Sequence, residues 1–219
     1  MGVQLFIFDL DGVITHTSVY HAQAWKEVCA RLGLSFNETL VEGTKGISRR
    51  ASLELILAYY GLSDNFSEVE KQRLMDEKNK LYRQLLEQIT EDDYLPGIRT
   101  LLEDIKRHGH PIAIASASEN AQMILHQMKA ERYIDFVVDP KQIKRGKPAP
   151  DIFLAAAHHF NAMPERCIAI EDAQSGIEAI KQAGMFAVGI GPKLVGADLV
   201  VEQSDQLTYR LLLEAYLKR

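Results

Sequence analysis

Residues 5–15, LFIFDLDGVIT, constrain the fold of this chain more than any other stretch. Leu5, Phe6, Ile7 and Phe8 form an apolar run without polar alternation, which suits a strand buried on both faces of a parallel sheet. Asp9 and Asp11 follow at once. Two ionised carboxylates at the end of a buried strand are costly, because each raises the other's pKa and both lose solvation. Gly12 then supplies a turn position that a side chain would strain. Two readings are open at this point. In one, the acids only shape a turn and start the next helix. In the other, a divalent cation with oxygen ligands offsets their charge. Which one holds depends on whether later segments bring partners to the two acids.

After Thr15 the texture changes, and nothing in residues 16–92 reads as a strand. Ala22, Trp25, Cys29 and Leu32 recur at spacings of three and four before Gly33, the mark of an amphipathic helix and its stop. Leu53, Ile56, Leu57 and Tyr60 repeat the pattern before Gly61. Ser67 and Glu70 make a capping box, in which each side chain satisfies a free backbone N–H at the helix start. The helix it opens is expected to run to about Ile89. Residues 16–92 therefore read as a helical cap, inserted after the first strand of a core made of residues 1–15 and 93–219.

From Pro96-Gly97 onward helices and strands alternate. A helix through Leu101, Leu102 and Ile105 stops near Gly109, and Ile112–Ala115 is the second strand. A helix follows Ser118, and Phe136–Val138 is the third strand. A helix over 150–161 starts at Pro150, whose missing N–H costs nothing there. Cys167–Ile170 is the fourth strand, and a helix ending at Gly184 leads to the fifth, Phe186–Ile190. Leu199–Val201 reads as a sixth strand at an edge. The expected fold is α/β, a doubly wound, Rossmann-like parallel sheet with the helical cap inserted.

In such a sheet the carboxyl ends of the strands share one rim, where ligands bind. Asp9 and Asp11, Ser116 and Ser118, Lys147, and Glu171 with Asp172 all fall at or beyond strand ends. Singly, each has a plain explanation as a cap, a solvated lysine or a helix-start acid. Four segments delivering acids, a hydroxyl and a lysine to one rim point instead to a site. That set suits phosphoryl transfer, where catalysis is mostly positioning and charge stabilisation. Asp9 is placed as the in-line nucleophile, and Mg²⁺, which takes few carboxylates and keeps water, suits the acids.

Composition removes other classes. Net charge −5 and a pI of about 5.8, without a Lys/Arg cluster, argue against a nucleic-acid surface. Cys29 and Cys167 are isolated, so neither a disulfide framework nor a zinc site is suggested. No apolar run approaches a membrane span, and residues 1–20 lack the pattern of a signal peptide. Phe6 stands where a myristoylation sequence needs Ser or Thr. The expectation is a cytoplasmic monomer without nucleic-acid or membrane partners.

The strand followed by DxDG and Thr15, then Ser116, then Lys147 in GKPAPDIF and finally EDAQSGIEA at 171–179, resembles the haloacid dehalogenase-like phosphotransferases. The resemblance spans the chain and carries roles with it. It implies an aspartyl-phosphate on Asp9 and a general acid/base at Asp11. Ser116 and the Ala117 N–H would hold the phosphate, and Lys147 would contact it and pair with the nucleophile. One Mg²⁺ per subunit, replaceable by Mn²⁺, would sit among Asp9, Asp11, Glu171 and Asp172. Within the family, DGVIT, His21 and Trp25 in YHAQAW, KGISR at 45–49, Ser52 and SASEN at 116–120 resemble one group of isomerases. These interconvert β-glucose 1-phosphate and glucose 6-phosphate through glucose 1,6-bisphosphate. By that likeness Thr17 and His21 join the catalytic group, His21 near Asp11. Lys45 and Gly46 face substrate hydroxyls, and Arg49 takes the far phosphate, its planar fork suiting that role. Trp25, Ser52, Lys78 with Asn79, Ser118 and Asn120 complete the sugar-phosphate contacts. His16 departs from the pattern, standing where the likeness leads one to expect Asp. A phosphatase of small phosphate esters and a non-catalytic sugar-phosphate sensor are the alternatives. The intact acids and lysine speak against a sensor, and KGISR with His21 favours the mutase over the phosphatase.

Overall fold

The computed structural model describes residues 2–219. They divide into two compact units, one comprising the chain up to His16 together with Ile89–Arg219, the other Thr17–Gln88.

The smaller unit is helical: α1 (Ser18–Arg31), α2 (Glu38–Gly43), α3 (Arg49–Tyr59) and α4 (Glu68–Leu86). Its core is the apolar stripe of each helix, with Trp25, Val28 and Cys29 packing on Leu40, Leu53, Ile56, Leu57 and Met75. Ser67 and Glu70 form the reciprocal capping box at the start of α4, as their spacing predicts. That helix stops at Leu86, a turn short of the expected end. The sequence reading has no counterpart for α2. It is too short for a period to show, and its only sign is the cap, Asn37 Oδ1 accepting from the Leu40 N–H at 3.1 Å.

In the larger unit, six strands among the described residues form one parallel sheet: β1 (Leu5–Phe8), β2 (Ile112–Ile114), β3 (Phe136–Val137), β4 (Cys167–Glu171), β5 (Phe186–Ile190) and β6 (Leu199–Val201). The order is β3-β2-β1-β4-β5-β6, so the doubly wound sheet expected from the alternation is present, with Leu199–Val201 at an edge. Its helices are α5 (Ile98–Arg107), α6 (Ala121–Gln127), α7 (Asp151–His159), α8 (Gln174–Gln182) and α9 (Tyr209–Leu217). The reading misses α9 because three consecutive leucines, Leu211 to Leu213, blur its period. None of the helices among the described residues is long and apolar enough to cross a membrane.

β1 is buried on both faces, as its composition requires. Leu5 and Ile7 belong to a cluster with Phe153 and Ala157 of α7 and Ile180 of α8. Phe6, on the opposite face, meets the rings of His110 and Tyr209 at centroid distances of 5.4 and 6.0 Å. Burying each such side chain contributes roughly 1.5–3 kcal/mol, which holds β1 at the centre and its acidic end in place. Phe8 is level with Ile114 of β2 and Ile170 of β4. The next residue, Asp9, therefore emerges beside Ala115 and Glu171. Strand order reverses between β1 and β4, and that reversal is where open parallel sheets bind ligands.

Candidate active site

Asp9, Lys147 and Glu171 are all buried, at 3%, 5% and 0% exposure. The register of β1 and β4 brings the two acids together, and the Lys147 Nζ donates to Asp9 Oδ1 and to Glu171 Oε1. Glu171 Oε2 accepts from the N–H groups of Asp172 at 2.8 Å and Ala173 at 2.9 Å, at the start of α8. Both of its oxygens are thus satisfied by charged or dipole-aligned donors. Burial opposes the charge on Lys147, but the Asp9 and Glu171 carboxylates outweigh it and hold the ammonium above its usual range. Burial, against the pull of Lys147 and with the Asp9 charge adding to it, raises the Glu171 carboxyl to about 7.

Asp9, Glu171 and Asp172 each offer an oxygen, and these oxygens lie within 4.8 Å of one another. At that spacing two carboxylates repel by at least about 3 kcal/mol at an effective dielectric near 20. Two glycines make the cluster sterically feasible. A Cβ on Gly12, whose φ is +88°, would lie 2.1 Å from Asp172 Oδ2, and one on Gly176 would lie 2.0 Å from Glu171 Oε1. The oxygen donor set and this glycine-lined cradle fit a hard divalent cation such as Mg²⁺. The Asp11 carboxylate stands outside the group of three, and its Oδ2 lies 3.5 Å from the Ser116 hydroxyl.

The segment after β2 is bonded to itself. Ser116 Oγ accepts from the Ser118 N–H at 3.1 Å, and Ser118 Oγ accepts from the Asn120 N–H at 3.3 Å. Ser116 is 1% exposed, Ala117 is half-buried, and Asn120 stands at the N-cap of α6. The core residues expected at the rim, Asp9, Asp11, Ser116, Lys147, Glu171 and Asp172, thus fall into two adjoining groups joined through the β1 end.

Within the helical unit the structure gathers a second set. Lys78 Nζ lies 2.6 Å from His21 Nδ1, 4.5 Å from the centre of the Tyr82 ring and 5.5 Å from that of Trp25. The His21 ring rests on Tyr82 at 3.9 Å. Burial, then the Lys78 and Arg49 charges, hold the His21 pKa well below its ordinary value. A neutral His21 accepts from Lys78 through Nδ1. Arg49 donates to Asn79 Oδ1 at 3.0 Å. Lys45 pairs with Glu42 at 2.9 Å, Gly46 is in the left-handed region, and the Ser52 hydroxyl donates to the Ser48 carbonyl. Thr17 is buried at the N-cap of α1, and its carbonyl accepts from the Tyr20 and His21 N–H groups. Lys78 is buried, at 1% exposure. Sequence reasoning missed Tyr82, although the i, i+4 spacings of His21 with Trp25 and of Lys78 with Tyr82 were there to be read. It also missed what Gly176 does, because that requirement comes from a neighbouring strand.

A family model described as haloacid dehalogenase-like hydrolase matches residues 3–184. The chain is 47% identical over 212 residues to the β-phosphoglucomutase of Bacillus subtilis (strain 168), covering 96% of this chain and 94% of that protein. It is 30% identical over 185 residues to the phosphorylated carbohydrates phosphatase of Thermotoga maritima, covering 84% and 82%. A crystal structure of β-phosphoglucomutase from Clostridium difficile matches with a TM-score of 0.96 at 43% identity, over 99% of this chain and 98% of that one. The matched span runs from β1 through α8 and so includes every acid of the cluster, and by it the chain belongs to the haloacid dehalogenase-like hydrolase family.

Proposed function

We propose that this chain is a Mg²⁺-dependent β-phosphoglucomutase, an isomerase that interconverts β-glucose 1-phosphate and glucose 6-phosphate through glucose 1,6-bisphosphate. The observation that carries the reading is the buried lysine bridging Asp9 and Glu171 at the strand-order reversal, on a chain 47% identical to a mutase over nearly its whole length. Asp9 attacks the phosphorus of the bisphosphate, and the bond from phosphorus to the sugar oxygen breaks. Asp11 gives that oxygen its proton. When the 1-phosphate is the group taken, glucose 6-phosphate leaves and β-glucose 1-phosphate presents its free 6-hydroxyl; Asp11 takes the proton back, and that hydroxyl attacks the aspartyl-phosphate, which restores the Asp9 carboxylate and regenerates the bisphosphate. Lys147 fixes Asp9 for in-line attack and offsets charge on the transferring group. Asp9, Glu171 and Asp172 would hold Mg²⁺, which supplies positive charge to the phosphoryl oxygens. In the helical unit we read Thr17, His21, Trp25, Lys45, Arg49 and Ser52 as substrate-selecting. Mn²⁺ as a substitute, a monomeric state and a cytoplasmic location belong to the same reading.

The phosphatase relative, 30% identical, makes hydrolysis the second reading. One experiment separates them: supply β-glucose 1-phosphate, Mg²⁺ and a trace of the bisphosphate, and follow glucose 6-phosphate and free phosphate in the same tube. Glucose 6-phosphate in large excess over phosphate is expected. Phosphate released as fast as isomer forms would make the chain a phosphatase, and excess chelator should stop either activity.

A further inference from the structure

Gln174 is the first residue of α8, but its side chain turns to the neighbouring loop and does not cap its own helix. Its Nε2 donates to the Val195 carbonyl at 3.1 Å, and its Oε1 accepts from the Val195 N–H at 3.0 Å. One side-chain amide thus reproduces the two-way exchange of a paired strand residue. The same Nε2 lies 3.3 Å from Glu178 Oε1, one turn along the helix.

The loop that Val195 belongs to, between β5 and β6, is fastened elsewhere as well. The Asp198 N–H donates to the Ala187 carbonyl at 2.8 Å, and Asp198 Oδ2 accepts from the Ala187 N–H at 2.7 Å. Lys181 of α8 donates to Asp198 Oδ1 at 2.6 Å. Leu194 packs where a Cβ on Gly189 would come within 2.8 Å of it. The Val195 side chain itself is 72% exposed, so this residue is held by its backbone and not by packing.

On its other side Gln174 stands two residues from Asp172 and one from Ala173. The N–H groups of Asp172 and Ala173 hold Glu171 Oε2. Ala173, the N-cap of α8, has no side chain with which to cap the helix. The turn that aims two of the three clustered acids therefore has a lateral tether in Gln174, to a loop that is itself anchored on β5 and α8.

We propose that Gln174 is a positioning residue of the cation site: by clasping the Val195 backbone it fixes the first turn of α8, and with it the direction of the Asp172 and Glu171 carboxylates. Nothing in the reaction needs the Gln174 amide to touch substrate or cation. The inference rests on the assignment of Mg²⁺ to the Asp9, Glu171 and Asp172 group. Coupling of this kind is reciprocal, so bound cation must also tighten the clasp.

The test compares wild type with Gln174→Met, which keeps the side-chain length at an exposed position and removes both hydrogen bonds to Val195 together with the contact to Glu178. Hydrogen exchange at the Val195 amide and calorimetric titration with Mg²⁺ alone are the two measurements, with the thermal midpoint of the metal-free proteins as a check on folding. We expect faster Val195 exchange in the variant and Mg²⁺ affinity lower by about fivefold, at the low end of coupling between sites. We also expect Mg²⁺ to slow Val195 exchange in wild type and to have little effect on it in the variant. Equal Mg²⁺ affinity in the two proteins, or Val195 exchange insensitive to Mg²⁺ in wild type, would overturn the proposal. A wild type that takes up no Mg²⁺ would sink the cation assignment together with it, a result distinct from equal binding by both proteins.

Discussion

Asp9 is the proposed nucleophile and also carries part of the electrostatic burden of the metal-free protein, and the two can be separated. Its carboxylate is attracted by Lys147 and repelled by Glu171 and Asp172. Removing its charge in Asp9→Asn gives up one attraction at 2.5 Å and relieves two repulsions at up to 4.8 Å whose sum is comparable, so folding stability should stay within about 1 kcal/mol of wild type. An amide is a poor nucleophile, and the phosphoenzyme should vanish. Intact-mass measurement after incubation with the bisphosphate checks this, beside a metal-free thermal melt. A phosphoryl adduct on the variant would move the nucleophile to another residue. Asp9, Lys147 and Glu171 were legible in the sequence because each follows a recognisable strand or lies in a marked loop. What the sequence hides is the contact partner: Gly12 and Gly176 look like ordinary turn and helix glycines until the carboxylates of Asp172 and Glu171 are seen against them.

Among the elements, α8 shows how an apparently favourable substitution can fail. Alanine is a better helix former than glycine by about 1 kcal/mol. In Gly176→Ala, however, the new methyl would fall on the Glu171 carboxylate, whose Lys147 and backbone bonds leave it little room to withdraw. We expect Mg²⁺ affinity to fall by about tenfold or more, as for other groups that support metal ligands, and calorimetric titration reads it. Undiminished affinity would mean that Glu171 does not direct the cation site. In the helical unit, the half-buried His21, whose pKa is held well below its ordinary value, is neutral in the folded chain and titrates near 6.5 once unfolded. Below that value the unfolded chain binds the extra proton, so folding stability should decline as pH falls through about 6.5 and go on declining until the folded-state pKa is reached. His110 is also lowered by burial, so the comparison is with His21→Gln, which should lose part of the slope in thermal melts between about pH 5 and 8. An unchanged slope would show that His21 is not the titrating group. The longer elements were readable because their apolar residues keep a period. The Glu38–Gly43 and Tyr209–Leu217 helices were not, since the first is little more than a turn and the second carries a run of leucines.

For the molecule as a whole, the choice between mutase and phosphatase is a choice of acceptor. The aspartyl-phosphate must pass to a sugar hydroxyl while water, far more concentrated, is kept from the same phosphorus. Holding a hydroxyl in line is worth about 7–11 kcal/mol over an unpositioned acceptor. A general base adds about 10²–10⁴-fold in rate, but only for the acceptor it touches. The Asp11 carboxylate lies 3.5 Å from the Ser116 hydroxyl, two residues beyond Asp9, and in the proposed reaction it is the group that transfers the proton. If it engages only with the sugar in place, as substrate-driven assembly of a site requires, then Asp11→Ala should slow isomerisation by about 10²–10⁴-fold. Hydrolysis of the phosphoenzyme, which never had that help, should change much less. The measurement is the ratio of glucose 6-phosphate formed to phosphate released, in wild type and variant, from the same pool of phosphoenzyme. A collapse of that ratio in the variant places Asp11 on the sugar hydroxyl. An equal loss of both rates would mean that Asp11 activates water as readily as sugar, and the acceptor would then have to be selected by positioning alone.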